Sequence, residues 1–497
     1  MKIAVAQINF IVGDIAGNKQ RIIDAIVRTR SEGAQLAVFA EFAVSGTPCY
    51  DLSRNAHFLD ACEEAVREIA AHCTGIAALV GLPMQEGSGV AVIDNRQIIR
   101  HIYKNGIVNV GGRRVAVVVG GEGRATERAD AVVVVASSPF ARGRIEQRFE
   151  RGRTMAFTAG QPLVFVNQVG GQSDVVYDGT SFVMDGTGHP LAVLKSFGED
   201  FALIDTAIQP PIELPRQDRT RNTYNAIRLG INDFFRKNGF RKACLGMSGG
   251  IDSAVVLALA VEALGAENLK LLMLPSRFSS THSVDDSIEM ARTLGVEYEI
   301  ISIEPAFDAV TQSLTSILGD TAFDTTEENI QSRLRCVMLM ALANKRGYVL
   351  LNTSNKSEAA VGFGTLYGDM SGALGPIGDL YKVEVYALAR YINREREVIP
   401  SNIILKEPSA ELRPDQFDSD SLPPYEVMDA VLTRLVENGE TPEEVIGAGF
   451  DDATVHRIAE MLRRAEFKRR QSPPALRLSQ RPFGSDFRLP LLSKFVL

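Results

Sequence analysis

Twelve residues in the second half, LGMSGGIDSAVV from Leu245 to Val256, restrict the fold more than any other stretch. An apolar run ends in Ser248-Gly249-Gly250, and a second apolar run with helical spacing opens at Asp252-Ser253. A buried strand that turns through two glycines straight into a helix aims free backbone N–H groups and the positive helix end at one point, which suits an anion. Glycine lets the main chain approach a phosphate closely, Ser248 and Ser253 add hydroxyl donors, and Asp252 can hold a magnesium ion against phosphates. The loop has no lysine and lacks the GxxxxGK[ST] spacing, so it is not the loop that hydrolyses a γ-phosphate. A lone SGG would be a glycine turn at a helix N-cap. The whole SGGxDS string between strand and helix reads as nucleotide binding.

The surroundings repeat the pattern. ACLGM leads to SAVVLALAVEAL, LKLLMLP to SVDDSIEMARTLG, EYEIISI to helices running to 342, and YVLLNTS follows. Strand and helix in alternation predict a parallel, doubly wound sheet with ligands at the carboxyl ends of its strands. A chain of 497 residues is too long for one core. AIQPPIELPRQ, residues 207–217, places three prolines in a polar connection and predicts a linker between domains at 1–206 and 218–497. In the first half, helical stretches near 15–32 and 56–72 give way to short, near-continuous apolar runs such as RVAVVVG and AVVVVAS, which predict an α/β sandwich.

Composition excludes other classes. With 45% hydrophobic and 23% charged residues the chain reads as soluble and globular, and a net charge of −8 gives no general attraction to nucleic acid or anionic membrane. No apolar run approaches a membrane span, and the first residues show no signal-peptide pattern. Five cysteines, irregularly spaced and without a CxxC pair, predict a reduced, cytoplasmic setting without structural zinc.

The SGGxDS string resembles the pyrophosphatase loop of ATP enzymes that cleave between the α and β phosphates. The rest of the second half narrows the resemblance to NAD synthetases: LMLPSRFSSTHSVDD, TTEENIQSRLR, LLNTSNKSEAAVGFGTLYGDMSGALGPIGDLYKVEVYALA, SLPPYEVMDAVL and EFKRRQSPPALRLSQRPFGSDFRLPL are similar to theirs in consistent order. The resemblance implies an adenine nucleotide α-hydrolase-like sheet. It also implies ATP on Gly246, Met247, Ser248, Gly249, Gly250, Ile251, Asp252, Ser253 and Thr353, with magnesium between Asp252 and Glu358. Deamido-NAD is implied on Asn329, Arg333, Glu358, Phe363, Gly364, Thr365, Leu366, Asp369 and Lys468. Lys382 matches a phosphate-neutralising lysine that would act in catalysis with Asp252 and Glu358. Asn329 and Arg333, four apart on one helix face, suit a polar ligand, although with Glu328 and Arg335 they also read as a solvated face. Lys468 equally reads as a basic helix end. The implied reaction forms an acyl-adenylate on the nicotinate carboxylate, which ammonia then attacks to give NAD, AMP and pyrophosphate.

The first half resembles the nitrilase-like amidase domain fused to glutamine-dependent NAD synthetases, which uses a Glu-Lys-Cys triad. LAVFAEFAVSGTPCYDL places Glu41 at the general-base position, IIRHIYKNG offers Lys104, and VVVVASSPFARGR offers Ser138 and Arg144. KNGIVNVGGRRVAVVVGGEG departs from the family pattern: it omits most of a tyrosine-bearing loop, and aligning Glu122 with the motif's glutamate puts Gly121 where the cysteine belongs. Without a thiolate no acyl-enzyme forms. Cys49, eight residues beyond Glu41, reads as an inert small side chain. The expectation is an NAD synthetase using free ammonia, with a degenerate amidase domain. The alternatives are glutamine dependence through a rewired or partner-supplied amidase, a non-catalytic nucleotide-binding scaffold, and a ligase for another pyridine carboxylate. A homo-oligomer is implied by the resemblance alone.

Overall fold

The computed structural model describes residues 1–85, 87–121, 128–319, 321–493 and 495; Glu122 lies outside them. Residues Met1–Arg219 and Thr220–Leu497 form two separate units, and 209–218 carry no regular secondary structure.

Valine-rich runs build the first unit, because β-branched side chains pack well on a pleated surface. One six-stranded sheet runs in the order Asp200–Asp205, Lys2–Gln7, Leu36–Phe39, Ala77–Met84, Gly87–Asp94, Gln97–Ile102. A second runs Pro190–Val193, Phe182–Met184, Leu163–Val166, Ala131–Val135, Arg113–Val119, Asn105–Val110. Their inner faces meet in one core, where Val5, Val38 and Leu79 pack with Val117, Val133 and Val164. Helices Ile15–Ser31 and Ala56–His72 cover the outer face of the first sheet through Ile22, Ile26, Val66 and Ile69. Helix Arg144–Ala159 covers the second sheet, with Phe149 edge-on to Phe182 at 5.2 Å. This is the nitrilase-like α/β sandwich expected from the sequence.

The second unit is built on a parallel sheet in the order Glu297–Ile300, Leu269–Met273, Ala243–Gly246, Val349–Leu350. Successive strands are added on one side of Ala243–Gly246 until Val349–Leu350 joins on the other, so the topological switch falls at the strand that carries the glycine loop. Helix Ile251–Leu264 is apolar nearly all round and accordingly buried, from Ile251 to Ala260 except Asp252, which is half-buried. A second, helical core packs Ala360 and Tyr381 against Met428, Val431, Val455 and Ile458. Among the described residues no helix is long and apolar enough to cross a membrane.

Candidate active site

Strand Ala243–Gly246 delivers the chain to Met247 and Ser248, and the turn at Gly249 sits at φ +74°. A Cβ there would lie 2.4 Å from the Ser283 carbonyl oxygen, so the loop packs against helix Thr281–Leu294 with room for glycine alone. Ser253 donates its hydroxyl to the Gly250 carbonyl at 3.0 Å and lies 3.2 Å from the Ser248 hydroxyl, which holds the loop in shape. Gly246, Met247, Ser248 and Gly250 through Ser253 line a cavity of about 330 Å³.

The cavity's charge comes from positions distant in sequence. The Lys382 ammonium, 130 positions from Asp252, lies 2.6 Å from its Oδ2 and 3.2 Å from Glu358 Oε1. Asn355 caps helix Lys356–Val361 by accepting from the Glu358 N–H at 3.0 Å and donates its amide to Asp252 Oδ1 at 2.9 Å, tying the two carboxylates into one frame. Burial pushes Glu358 up to about 8 against the pull of Lys382, with Asp252 adding to the rise. Burial alone would lower the Lys382 ammonium, but Asp252 and Glu358 outweigh it and hold it above its ordinary value. Asp418 also lines the cavity, raised by burial, and accepts from the Tyr425 hydroxyl at 2.8 Å.

Two residues before Glu358, Lys356 is fully buried. Its ammonium lies 2.7 Å from Asp379 and 2.6 Å from Glu437, and it donates to the Ser479 hydroxyl at 2.7 Å. Asp379 in turn accepts the Leu478 and Ser479 N–H groups, both at 2.7 Å, and Glu437 accepts that of Arg481 at 3.0 Å.

Of the residues expected to meet deamido-NAD, Phe363, Thr365 and Asp369 line the cavity together with Thr353, Glu358 and Lys382. Asn329, Arg333, Gly364, Leu366 and Lys468 do not. Their polar groups hold the loop behind the wall instead. Asn329 accepts from the Thr365 hydroxyl at 2.6 Å, Arg333 Nε donates to the Leu366 carbonyl at 3.2 Å, and the Lys468 ammonium bridges the Gly362 and Gly364 carbonyls at 2.8 and 2.7 Å. Asp369, raised by burial, accepts the Thr365 N–H at 2.7 Å. Sequence reasoning missed Lys406, Glu411 and Asp418 on the wall and treated Arg335 as surface charge; Arg335 is lowered to about 10 by burial and donates to the Leu274 carbonyl at 2.9 Å. The capping box Asn355-Lys356-Ser357-Glu358 could have marked the start of the short helix that carries Glu358, but nothing local ties it to Asp252; Lys406 and Glu411 lie in a polar loop with no periodic cue.

In the first unit the Glu41 carboxylate is buried and raised by that burial. It accepts from the Ser88 hydroxyl and, at 3.0 Å, from the Ser137 N–H. Strand Arg113–Val119 ends beside it. A Cβ on Gly120, at φ +80°, would lie 3.7 Å from Glu41 Oε1, whereas one on Gly121 would face Ala136 and Phe165 at 3.6 and 3.8 Å. The glycine opposite the glutamate is therefore Gly120, one residue before the position that alignment on Glu122 picks. Lys104 is exposed, its carbonyl accepting the Val119 N–H at 2.7 Å, and among the described residues no ion pair joins it to Glu41. Ser138 is held through its backbone by Asn167 at 2.8 Å, and Arg144 opens helix Arg144–Ala159. Cys49 is buried, its thiol raised by that burial and pointed at the Gly46 carbonyl at 3.0 Å.

The NAD synthase family model matches residues 223–472, and the carbon-nitrogen hydrolase model matches 2–115. The chain belongs to the two-domain NAD synthetase family. It is 40% identical to the glutamine-dependent NAD(+) synthetase of Xanthomonas campestris pv. campestris, over 100% of this chain and 98% of that protein. It is 37% identical to the one named for Synechocystis sp., over 99% of each. The latter alignment runs over 551 residues for a chain of 497, so the relative carries residues that this synthetase lacks. Among solved structures, the Acinetobacter baumannii glutamine-dependent NAD+ synthetase in complex with ADP is 31% identical with a TM-score of 0.77, covering 99% of this chain and 98% of that one. The Cytophaga hutchinsonii enzyme, 19% identical at a TM-score of 0.89 with the same coverage, shares the fold. The hydrolase match ends at residue 115, before the glycines that follow the strand. The relatives' names favour glutamine over the free ammonia expected from the sequence, and none of the comparisons supports the loss of glutaminase activity read from it.

Proposed function

We propose that the second unit amidates deamido-NAD to NAD: the nicotinate carboxylate takes AMP from ATP, pyrophosphate leaves, and ammonia displaces AMP. The observation that carries this reading is the Asp252–Lys382–Glu358 cluster beside a glycine loop with no lysine of its own. The protein supplies position and charge, with no covalent enzyme intermediate. Gly246 to Ser253 and Thr353 take the ATP, while Phe363, Thr365 and Asp369 meet deamido-NAD; Asn329, Arg333, Gly364, Leu366 and Lys468 shape the loop that presents them.

Asp252 and Glu358 fit magnesium. Among the described residues no three His, Cys, Asp or Glu side chains form a metal cage, so the ion would sit between these two carboxylates and phosphate oxygens, as magnesium commonly does. When bound it neutralises phosphate charge.

For the nitrogen source we infer that ammonia comes from outside this chain's own glycine elbow, free or released by a separate amidase. The support is the absence of a thiol at Gly120 or Gly121 and the buried, hydrogen-bonded state of Cys49. A second reading, glutamine dependence of this chain by itself, is favoured by the names of relatives aligned over nearly all of it. The exposed apolar residues Ile317, Val337 and Met340, on neighbouring helices Glu304–Leu318 and Thr325–Arg346, support contact with a second copy, which sedimentation would test. The deciding assay supplies ATP, magnesium and deamido-NAD with ammonium or glutamine separately. NAD, AMP and pyrophosphate in equal amounts from ammonium are expected, with glutamine effective only beside an added amidase. Synthesis from glutamine alone at the ammonium rate would establish the second reading, and absence of AMP with either donor would overturn the ligase assignment.

A further inference from the structure

We infer that Lys406 is the cation that receives the leaving pyrophosphate, an inference that rests on the adenylation reading above. Among the described residues three basic side chains line the cavity: Arg335, Lys382 and Lys406. Lys382 already faces two carboxylates, and Arg335 is held on the Leu274 carbonyl. Lys406 differs. Its ammonium donates to the Ser283 hydroxyl at 2.9 Å and, among the described residues, makes no ion pair.

The side chain is half-buried, and burial lowers its ammonium below the ordinary value, although Glu411 and Asp286 pull the other way. An ammonium partly withdrawn from water, with a neutral hydroxyl as its contact, is stabilised by any anion that enters. Ser283 sets the position without cancelling the charge, since it passes its own hydrogen to Glu411 at 2.6 Å. The Ser283 carbonyl is the atom that excludes a side chain at Gly249, so Lys406 reaches the same residue that the glycine loop packs against.

That placement answers a need of the reaction. As the carboxylate oxygen bonds to the α-phosphorus, the bridging α–β P–O bond breaks and its electron pair leaves on pyrophosphate. The loop has no lysine and Lys382 is engaged, so the growing charge needs a cation on the Ser283 side. Lys406 turns from Ser283 to the departing oxygens, donates a hydrogen bond and keeps its proton.

Calorimetric titration of the full chain with magnesium and inorganic pyrophosphate tests this directly. Lys406→Met is expected to weaken binding by about tenfold or more, the worth of one charge-assisted hydrogen bond. Product inhibition by pyrophosphate should weaken in parallel. The kcat for AMP release should fall about 10- to 100-fold while KM for deamido-NAD stays within about twofold, the mark of an interaction made in the transition state. Lys406→Arg should recover most of both. Lys406→Gln, which still reaches Ser283, serves the same test if the methionine variant folds poorly. Pyrophosphate binding within about twofold of wild type in the Met or Gln variant, or no binding by the wild type, overturns the inference. A wild type that binds pyrophosphate through Lys406 yet releases no AMP overturns the adenylation reading and leaves the anion contact standing.

Discussion

The glycines at 249–250 and at 120–121 are two versions of one device, a largely buried strand that ends in a bare turn at its carboxyl end. Around the first, three charged side chains from distant segments meet within hydrogen-bonding distance. Beside the second, one glutamate is satisfied by Ser88 and Ser137, and Lys104 stands apart in solvent. A glycine turn offers space for chemistry without supplying it. What separates the two is whether later parts of the chain return with complementary charge.

The largest effect should come from Asp252→Asn, which leaves Lys382 with one carboxylate; AMP release is expected to fall roughly a thousandfold, on the scale of losing a group that stabilises charge in the transition state. Equal rates in the variant and the wild type would remove Asp252 from the site. The two turns can then be set against each other. Gly249→Ala forces a Cβ to 2.4 Å from a backbone carbonyl at positive φ, and ATP use should drop about a hundredfold. Gly120→Ala meets its nearest atom at 3.7 Å, so it should lose only about 1–2 kcal/mol of stability to left-handed strain and keep its ammonium-driven rate. Equal behaviour of the pair in the same assay would break the contrast.

A smaller, pH-dependent effect belongs to Asp429, which burial pushes up to about 6 while the Ser357 hydroxyl and the Val383 N–H hold it in place. The folded protein binds a proton there between about pH 4 and 6 that the unfolded chain has released, so stability falls as pH rises through that window and levels off above it. Asp429→Asn should remove this fall of about 3 kcal/mol across the window, read from denaturant melts at each end of it. Least of all, Cys49→Ala should leave NAD formation from either donor within about twofold, because its thiol is buried and protonated. A selective loss of glutamine use would restore an amidase role to that thiol.

Much of the second unit was legible in the sequence because its demands are local: LGMSGGIDSAVV carries strand, turn and helix within a dozen residues, each constrained by its own steric needs. The valine runs of the first unit announced strands for the same reason. Lys382 beside Asp252 could be reached only through resemblance, since 130 residues separate them. Asn329 and Arg333 show a pattern that admits two uses: their spacing aligns both on one helix face, and a ligand and a neighbouring loop make the same demand of that face; the contacts the structure shows are those with the loop. Lys406 and Glu411 were illegible because a polar loop without periodicity gives no sign of what it will cover.

Lys356 ties the order of synthesis to the order of assembly. Its two counter-charges are fastened by backbone from Leu478 to Arg481, and Glu358 follows it on the same short helix. A nascent chain that has not yet reached those residues holds an ammonium and two carboxylates without the amides that fasten them. Competence for catalysis thus waits on Leu478 to Arg481, and a chain clipped ahead of Leu478 should be a poor enzyme even though every group facing the nucleotide is already in it.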